Sequence, residues 1–260
     1  MARLAVETMV VNENNRIAAE LREGFEAAGT AVFNFIGSPG SGKTMLLEKT
    51  LQQLPRDLKV GVLTADLQTD SDASRLARAG FRVQQITTAG SCHLDARMVD
   101  KALAKWRYEP FNMLLIENVG NLISPACYDL GETAKVVVLS VTEGEDKPLK
   151  YPRAFFNSDA MVINKMDLMP FVPFELNMAR ANAKIVNPEI SVFEASGVKG
   201  TGVKAFAEWL GKQNAGERRP VRTLPPAVEE VGELNNKNDH HHRFQYKGPR
   251  LVEFIRQEFV

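Results

Sequence analysis

Cysteine is nearly missing from this sequence: Cys92 and Cys127 are the only two in 260 residues. Two thiols in so long a chain make no disulfide framework and point to a reducing compartment, the cytoplasm. If they meet, metal binding or redox chemistry is favoured over a structural bridge. No apolar run approaches the roughly 20 residues that span a bilayer, so no membrane segment is expected. The opening stretch MARLAVETMVVNENN lacks the long apolar core of a secretory signal. Net charge is absent as well, with 32 Lys and Arg against 32 Asp and Glu. Without a basic field, nucleic acid is not an expected partner. No internal repeat is visible. What the chain has in quantity is apolar side chain, 44% of residues, enough for a substantial core. The length fits one large domain or a domain with an appendage.

Residues 12–29 carry Ile17, Leu21 and Phe25 at four-residue spacing, which predicts an amphipathic helix stopped at Gly29. Short apolar runs follow at 31–36, 59–64, 82–87, 112–117, 134–141, 160–164 and 190–194. Several are apolar on both faces, as buried parallel strands are. Segments such as 43–53, 93–106 and 203–213 are long enough for crossover helices. The alternation predicts an α/β fold: a mostly parallel sheet flanked by helices. Composition changes after Asn214, where proline, charge and asparagine dominate. The expected organisation is an N-terminal helix (1–30), a nucleotide-binding domain (31–213) and a flexible C-terminal extension (214–260). The last ten residues, LVEFIRQEFV, read as a short docking helix or a weakly ordered terminus.

GSPGSGKT at 37–44 satisfies G-x-x-x-x-G-K-[ST] between a predicted strand and a predicted helix, the signature of a P-loop NTPase. Gly37, Gly40, Ser41 and Gly42 belong to a loop whose amides approach phosphate closely. Lys43 supplies charge to the terminal phosphates, and the Thr44 hydroxyl faces Mg²⁺. NKMD at 164–167 follows another apolar strand and selects guanine. Asp167 accepts from the ring N1–H and the exocyclic amine, Lys165 lies along the base, and Asn164 braces the site. EASG at 194–197 resembles the last base-binding loop of GTPases, with the Ala195 amide expected on the guanine oxygen. Asp66 and Glu117, at strand ends, are the carboxylates expected to hold Mg²⁺ and to serve hydrolysis with Lys43. Asp70 and Asp72 are weaker candidates. No residue stands out as the group that orients the attacking water, so slow hydrolysis is expected.

Cys92 and His93 adjoin each other before a predicted helix, and Cys127 lies past the strand that ends in Glu117. If the two loops meet, two sulfurs and an imidazole converge on one soft or borderline metal. The alternative is a small apolar cysteine beside a helix-capping histidine.

GSPGSGKT, ADLQTDSDASR, GSCHLDARMV, IENVGNLISPACYDLGE, VTEGEDKPLKYP and NKMDL together resemble the nickel-incorporation GTPases of hydrogenase maturation, the HypB family, over about residues 10–213. The resemblance implies a cytoplasmic GTPase that uses GTP and Mg²⁺ and delivers nickel toward the large subunit of [NiFe] hydrogenase. It also implies a zinc-bearing nickel chaperone as partner and a homodimer formed on GTP or metal binding. The metal site it implies, for Ni²⁺ or Zn²⁺, uses Cys92 and His93. Its third cysteine stands directly before a proline, where this chain has Ser124. Cys127, three residues on, is the expected substitute, with Ser124 the alternative. Lys147 matches a lysine that touches nucleotide across the dimer. The N-terminal nickel motifs of some relatives are missing, whereas His240, His241 and His242 lie in the tail, as weak nickel ligands or a solvated segment. Another client such as urease, a nickel-storage role, or a small-molecule kinase are the competing readings. Phosphate release from GTP without an acceptor excludes the kinase.

Overall fold

The computed structural model describes residues 2–66, 76–77, 81–88, 90–106 and 110–214, with the side chains of 2–9, 66 and 214 left out. The expectations for Asp70, Asp72, His240–His242 and the C-terminal ten residues lie outside these. The chain divides into two units, Met1–Arg218 and Arg219–Val260, and only the first contains described residues.

Helix α1 (Ala2–Ala27) begins well before the predicted residue 12. Its first turns lack the apolar periodicity by which a helix is read. Asn14, Ala18 and Leu21 form its buried stripe, and Gly29 follows it. Strands β1 (Ala31–Gly37), β2 (Val60–Asp66), β3 (Arg82–Thr87), β4 (Met113–Glu117), β5 (Ala134–Ser140), β6 (Ala160–Asn164) and β7 (Ser191–Glu194) form one sheet. Its order is β3-β2-β4-β1-β5-β6-β7 and every pairing is parallel. β2 runs two residues past the predicted end, so Asp66 closes the strand rather than following it.

Helices α2 (Lys43–Leu51), α3 (Ala96–Lys105), α4 (Lys147–Lys150), α5 (Pro152–Phe156), α6 (Leu176–Val186) and α7 (Val203–Asn214) complete the described elements. On one face, Phe33 and Phe35 of β1 pack with Leu46, Leu47, Phe206 and Leu210 of α2 and α7. Phe35 meets Phe206 edge-on at 6.1 Å. On the other face, Val32, Leu63, Leu114 and Ile116 pack with Ala18 and Leu21 of α1 and Val99 and Leu103 of α3. Burial on both faces explains why β1, β4, β5 and β6 are largely apolar, interrupted inside β1 by Asn34 and inside β5 by Lys135.

β1 is central, and its neighbours β4 and β5 connect to opposite halves of the sheet. At such a switch point the loops leaving the carboxyl ends diverge and open a crevice for ligand. The loops after β1, β4 and β6 open there, and they carry the phosphate motif, Glu117 and the NKMD motif.

Candidate nucleotide and metal site

The loop after β1 turns through Gly40 and Gly42, both at positive φ (74° and 87°), and delivers the N-terminus of α2 to the crevice. A Cβ on Gly42 would lie 2.6 Å from the Asn164 amide nitrogen, so glycine is required for close approach as well as for the turn. Lys43 is buried, its ammonium donating to the carbonyls of Gly37 at 3.1 Å and Ser38 at 3.4 Å. It therefore sits against the rim of the loop. The Thr44 hydroxyl donates to a Glu117 carboxylate oxygen at 2.7 Å, and Glu117 is buried. These are two oxygen donors suited to a hard cation beside a phosphate loop. Asp66 ends β2, but its side chain lies outside the described residues.

Asn164 joins three loops. Its Nδ2 donates to the carbonyls of Ser41 (2.9 Å) and Gly42 (3.3 Å), and its Oδ1 accepts from the Gly197 amide (3.0 Å). Lys165 is the non-glycine residue at positive φ (62°) among those described. Asp167 accepts from the buried Ser196 hydroxyl at 2.5 Å, which holds the carboxylate in place.

Two corrections follow. The Ala195 amide does not face the base crevice: it donates to the Ile163 carbonyl at 2.9 Å, extending the β6–β7 ladder by one bond. The residue braced on Asp167 is Ser196, one position later, and Gly197 follows it into the loop. A serine inside EASG carries that signal: Ser196 stands two residues past Glu194, where the sequence reading expects the serine. Lys147 opens α4 with its ammonium 3.8 Å from Glu143 and 4.9 Å from the Tyr151 ring centroid.

The second correction concerns the thiols. β3 and β4 are not neighbours, since β2 lies between them. Their following loops nevertheless meet. The Cys92 thiol donates to the Ser124 hydroxyl at 3.1 Å and lies 3.9 Å from His93 Nδ1. The His93 ring stacks on Tyr128 with centroids 3.8 Å apart and planes at 20°. Burial lowers the His93 pKa from its ordinary value, with Asp95 pulling the other way. A neutral imidazole is the form that ligates metal.

Cys127 does not join this cluster. It follows the 3-10 turn Ser124–Ala126, and its Sγ donates to the Ile123 carbonyl at 3.4 Å and accepts from the Arg153 guanidinium at 3.3 Å. Back-bonding within the turn and a fixed cation beside the sulfur direct it away from Cys92. Among the described residues no three His, Cys, Asp or Glu side chains gather as a metal cage. Cys92, His93 and Ser124 make a sulfur, nitrogen and oxygen set instead.

The segment carrying Glu117 and Ser124 is wedged between the phosphate loop and the Cys92 loop. A Cβ on Gly120 would lie 2.9 Å from Pro39 Cα. Asn121 forms an isolated bridge with Gly37 and donates through Nδ2 to the Cys92 carbonyl at 3.3 Å. The buried Asn118 side chain accepts from the Leu94 amide (3.1 Å) and donates to Asn34 (3.1 Å). Asn34 in turn donates to Glu132 (3.2 Å), which pairs with Lys135 at 3.2 Å. Burial raises the Glu132 pKa, but Lys135, the Leu130 amide and Asn34 outweigh it and hold the carboxyl below its ordinary range. Sequence reasoning missed Asn118 and Asn121. Their only signal was two amides in a strand-end loop that had been assigned to metal and phosphate.

The family model for the CobW/HypB/UreG nucleotide-binding domain matches residues 31–194. The hydrogenase maturation factor HypB of Rhizobium leguminosarum bv. viciae is 47% identical over 220 residues, covering 85% of this chain and 73% of that protein. The HypB of Escherichia coli K12 is 45% identical over 210 residues, covering 81% and 72%. Among solved structures, HypB from Helicobacter pylori in complex with nickel superposes with a TM-score of 0.77 at 36% identity, covering 81% of this chain and 99% of that one. HypB from Archaeoglobus fulgidus gives 0.73 at 38% identity, covering 78% and 100%. With its P-loop, its guanine motif and relatives of this closeness over most of its length, the chain belongs to the HypB hydrogenase maturation factors of the CobW/HypB/UreG family.

Proposed function

We propose that this chain hydrolyses GTP and delivers nickel in hydrogenase maturation, with nucleotide and cargo sensed through one shared segment, 117–127. The observation that carries this reading is the placement of Asn118 and Asn121. Asn118 adjoins Glu117, which holds Thr44, and its own side chain holds the loop of Cys92 and His93. Asn121 joins Gly37 of the phosphate loop to the Cys92 carbonyl. A change in contacts at the terminal phosphate therefore reaches the metal ligands through two hydrogen-bonded steps.

Thr44 and Glu117, with Asp66, hold Mg²⁺ in this reading. The ion supplies neutralisation of charge between the outer phosphates. Lys43 offers a second cation, the α2 N-terminus its amides, and Asp167 with Ser196 selects guanine over adenine. Turnover is slow. Residues 31–213 form the catalytic domain, and 214–260 an extension. The cargo ligands are Cys92, His93 and Ser124, with zinc as a competing ion. Association into a homodimer places Lys147 against the partner's nucleotide. Nickel arrives from a zinc-bearing chaperone and passes toward the hydrogenase large subunit.

The test is nickel affinity measured with GDP and with a non-hydrolysable GTP analogue, in wild type, Asn121→Ala and Cys92→Ser. Affinity that differs between nucleotides in wild type, and no longer differs in Asn121→Ala, supports the reading. Equal affinities in wild type overturn the coupling. Retained nickel binding in Cys92→Ser overturns the site.

A further inference from the structure

The Cys92–His93–Ser124 cluster is assembled from two separate segments, and besides their direct bonds through Asn118 and Asn121 one further link lies outside both. Cys92 and His93 precede α3, and Ser124 and Tyr128 follow β4. The buried Asn14 side chain of α1 spans the two: its Oδ1 accepts from the Ala96 amide at 2.8 Å and its Nδ2 donates to the Asp129 carbonyl at 2.9 Å. Ala96 is three residues past His93. Asp129 directly follows Tyr128, on which the imidazole stacks. One amide thus ties, from a third element, the segment carrying the sulfur and nitrogen to the segment carrying the hydroxyl and the stacking ring.

Resting on the metal reading of that cluster, we infer that Asn14 is a positioning residue for the metal site, and that α1 is the arm that holds it there. The seat of α1 combines polar ties with apolar packing. Arg22 donates to both Asp129 carboxylate oxygens at 2.6 Å, and a Cβ on Gly131 would lie 2.8 Å from the Ala18 carbonyl. Beside this packing lies a cavity of about 510 Å³ lined by Ile17, Leu21, Phe25, Leu103 and Phe111. Apolar packing seats the helix on the sheet and α3, and Asn14 and Arg22 add the polar ties that fix it against the metal loops. A role limited to helix capping is also distinguishable in kind. Asp95 already caps α3 by accepting from the Met98 amide at 2.7 Å, so the Asn14 contact adds the tie to Asp129 rather than the first cap.

The experiment titrates the full-length chain with Ni²⁺, read by competition with a chromophoric chelator and by thiolate-to-nickel absorption. It uses wild type, Asn14→Ala, Asn14→Leu, Arg22→Gln and Cys92→Ser, with GDP affinity as the control for folding. Outer partners of metal ligands commonly contribute about 10- to 100-fold in affinity. Both Asn14 variants should bind nickel about tenfold more weakly with altered absorption, while GDP affinity stays within about twofold. Arg22→Gln should show a smaller loss in the same direction. Nickel affinity equal to wild type in the folded Asn14 variants, whatever happens to their melting temperature, reduces Asn14 to a cap and overturns the proposal. If neither Asn14 variant binds GDP, Arg22→Gln decides, and unchanged nickel affinity there overturns it. Wild-type nickel binding that survives Cys92→Ser instead overturns the metal reading beneath it.

Discussion

At Ser124 a hydroxyl stands 3.1 Å from the Cys92 sulfur, in the place nearest to a third ligand. A neutral hydroxyl is a weak donor to nickel or zinc, whereas a thiolate is a strong one. Ser124→Cys should therefore tighten nickel binding about tenfold or more and strengthen the charge-transfer band. Cys127→Ser should leave both unchanged, because Cys127 faces Ile123 and Arg153. Nickel titration of the two variants side by side checks this. On the nucleotide side, Asp167→Ala would remove the two charge-assisted hydrogen bonds proposed to guanine, each worth about 1.5–3 kcal/mol. GDP affinity should fall at least about 10²-fold, measured by fluorescent-nucleotide titration. Residue identity was legible here and residue direction was not. The sequence showed that the loops of Cys92 and Cys127 belong to one end of the sheet. It could not show that a 3-10 turn presents Ser124 to Cys92 and sends the later sulfur toward a guanidinium. In the same way, EASG was recognisable as the base loop. Whether Ala195 or Ser196 sits beside Asp167 depended on where β7 stops pairing, and strand ends are poorly marked in sequence.

At the scale of elements, Asn164 ties the end of β6 to the phosphate loop and to the loop after β7 through three hydrogen bonds. Asn164→Ala leaves buried backbone partners unmet and should cost about 2–3 kcal/mol in urea unfolding, with weaker GDP binding. Glu132 joins β1 to β5 through Asn34 and Lys135. Glu132→Gln strands a buried ammonium, and a loss of about 3 kcal/mol is expected. The pH dependence has a definite sign. The folded pKa of Glu132 lies below the ordinary 4.5, so its contribution is complete above 4.5 and is lost as pH falls through the lower folded value. Stability measured down through that range should show this acid limb, and Glu132→Gln should lack it. Buried strands were legible from their apolar runs, and 160–164 matches β6 end to end; 82–87 also matches β3, although that edge strand is half-exposed and polar at Gln84 and Gln85. The first turns of α1, and α6 with its buried face of Ala179, Asn182, Ala183 and Val186, were not. A face built from alanine and asparagine carries little hydrophobic signal.

Over the whole molecule, the phosphate loop and the Cys92 loop are joined by hydrogen bonds at the switch point beside β1, the route proposed for coupling. No described helix is long and apolar enough to cross a membrane. The proposed response to GTP is read as a change in metal affinity. Asn121→Ala should abolish the nucleotide dependence of nickel binding while leaving each ligand bound alone within about threefold, because it removes two side-chain bonds, to the Cys92 carbonyl and from the Ile123 amide, and no ligand. The buried amide row from Leu94 through Asn118, Asn34 and Glu132 to Lys135 has a consequence for how such chains diverge. Each member is satisfied by its neighbours, so a single apolar replacement orphans the next, whereas an adjacent pair can be exchanged together at much lower cost. Drift along this row should proceed in coordinated couples: a homologue with leucine at the position of Asn34 should also have given up the amide at Asn118.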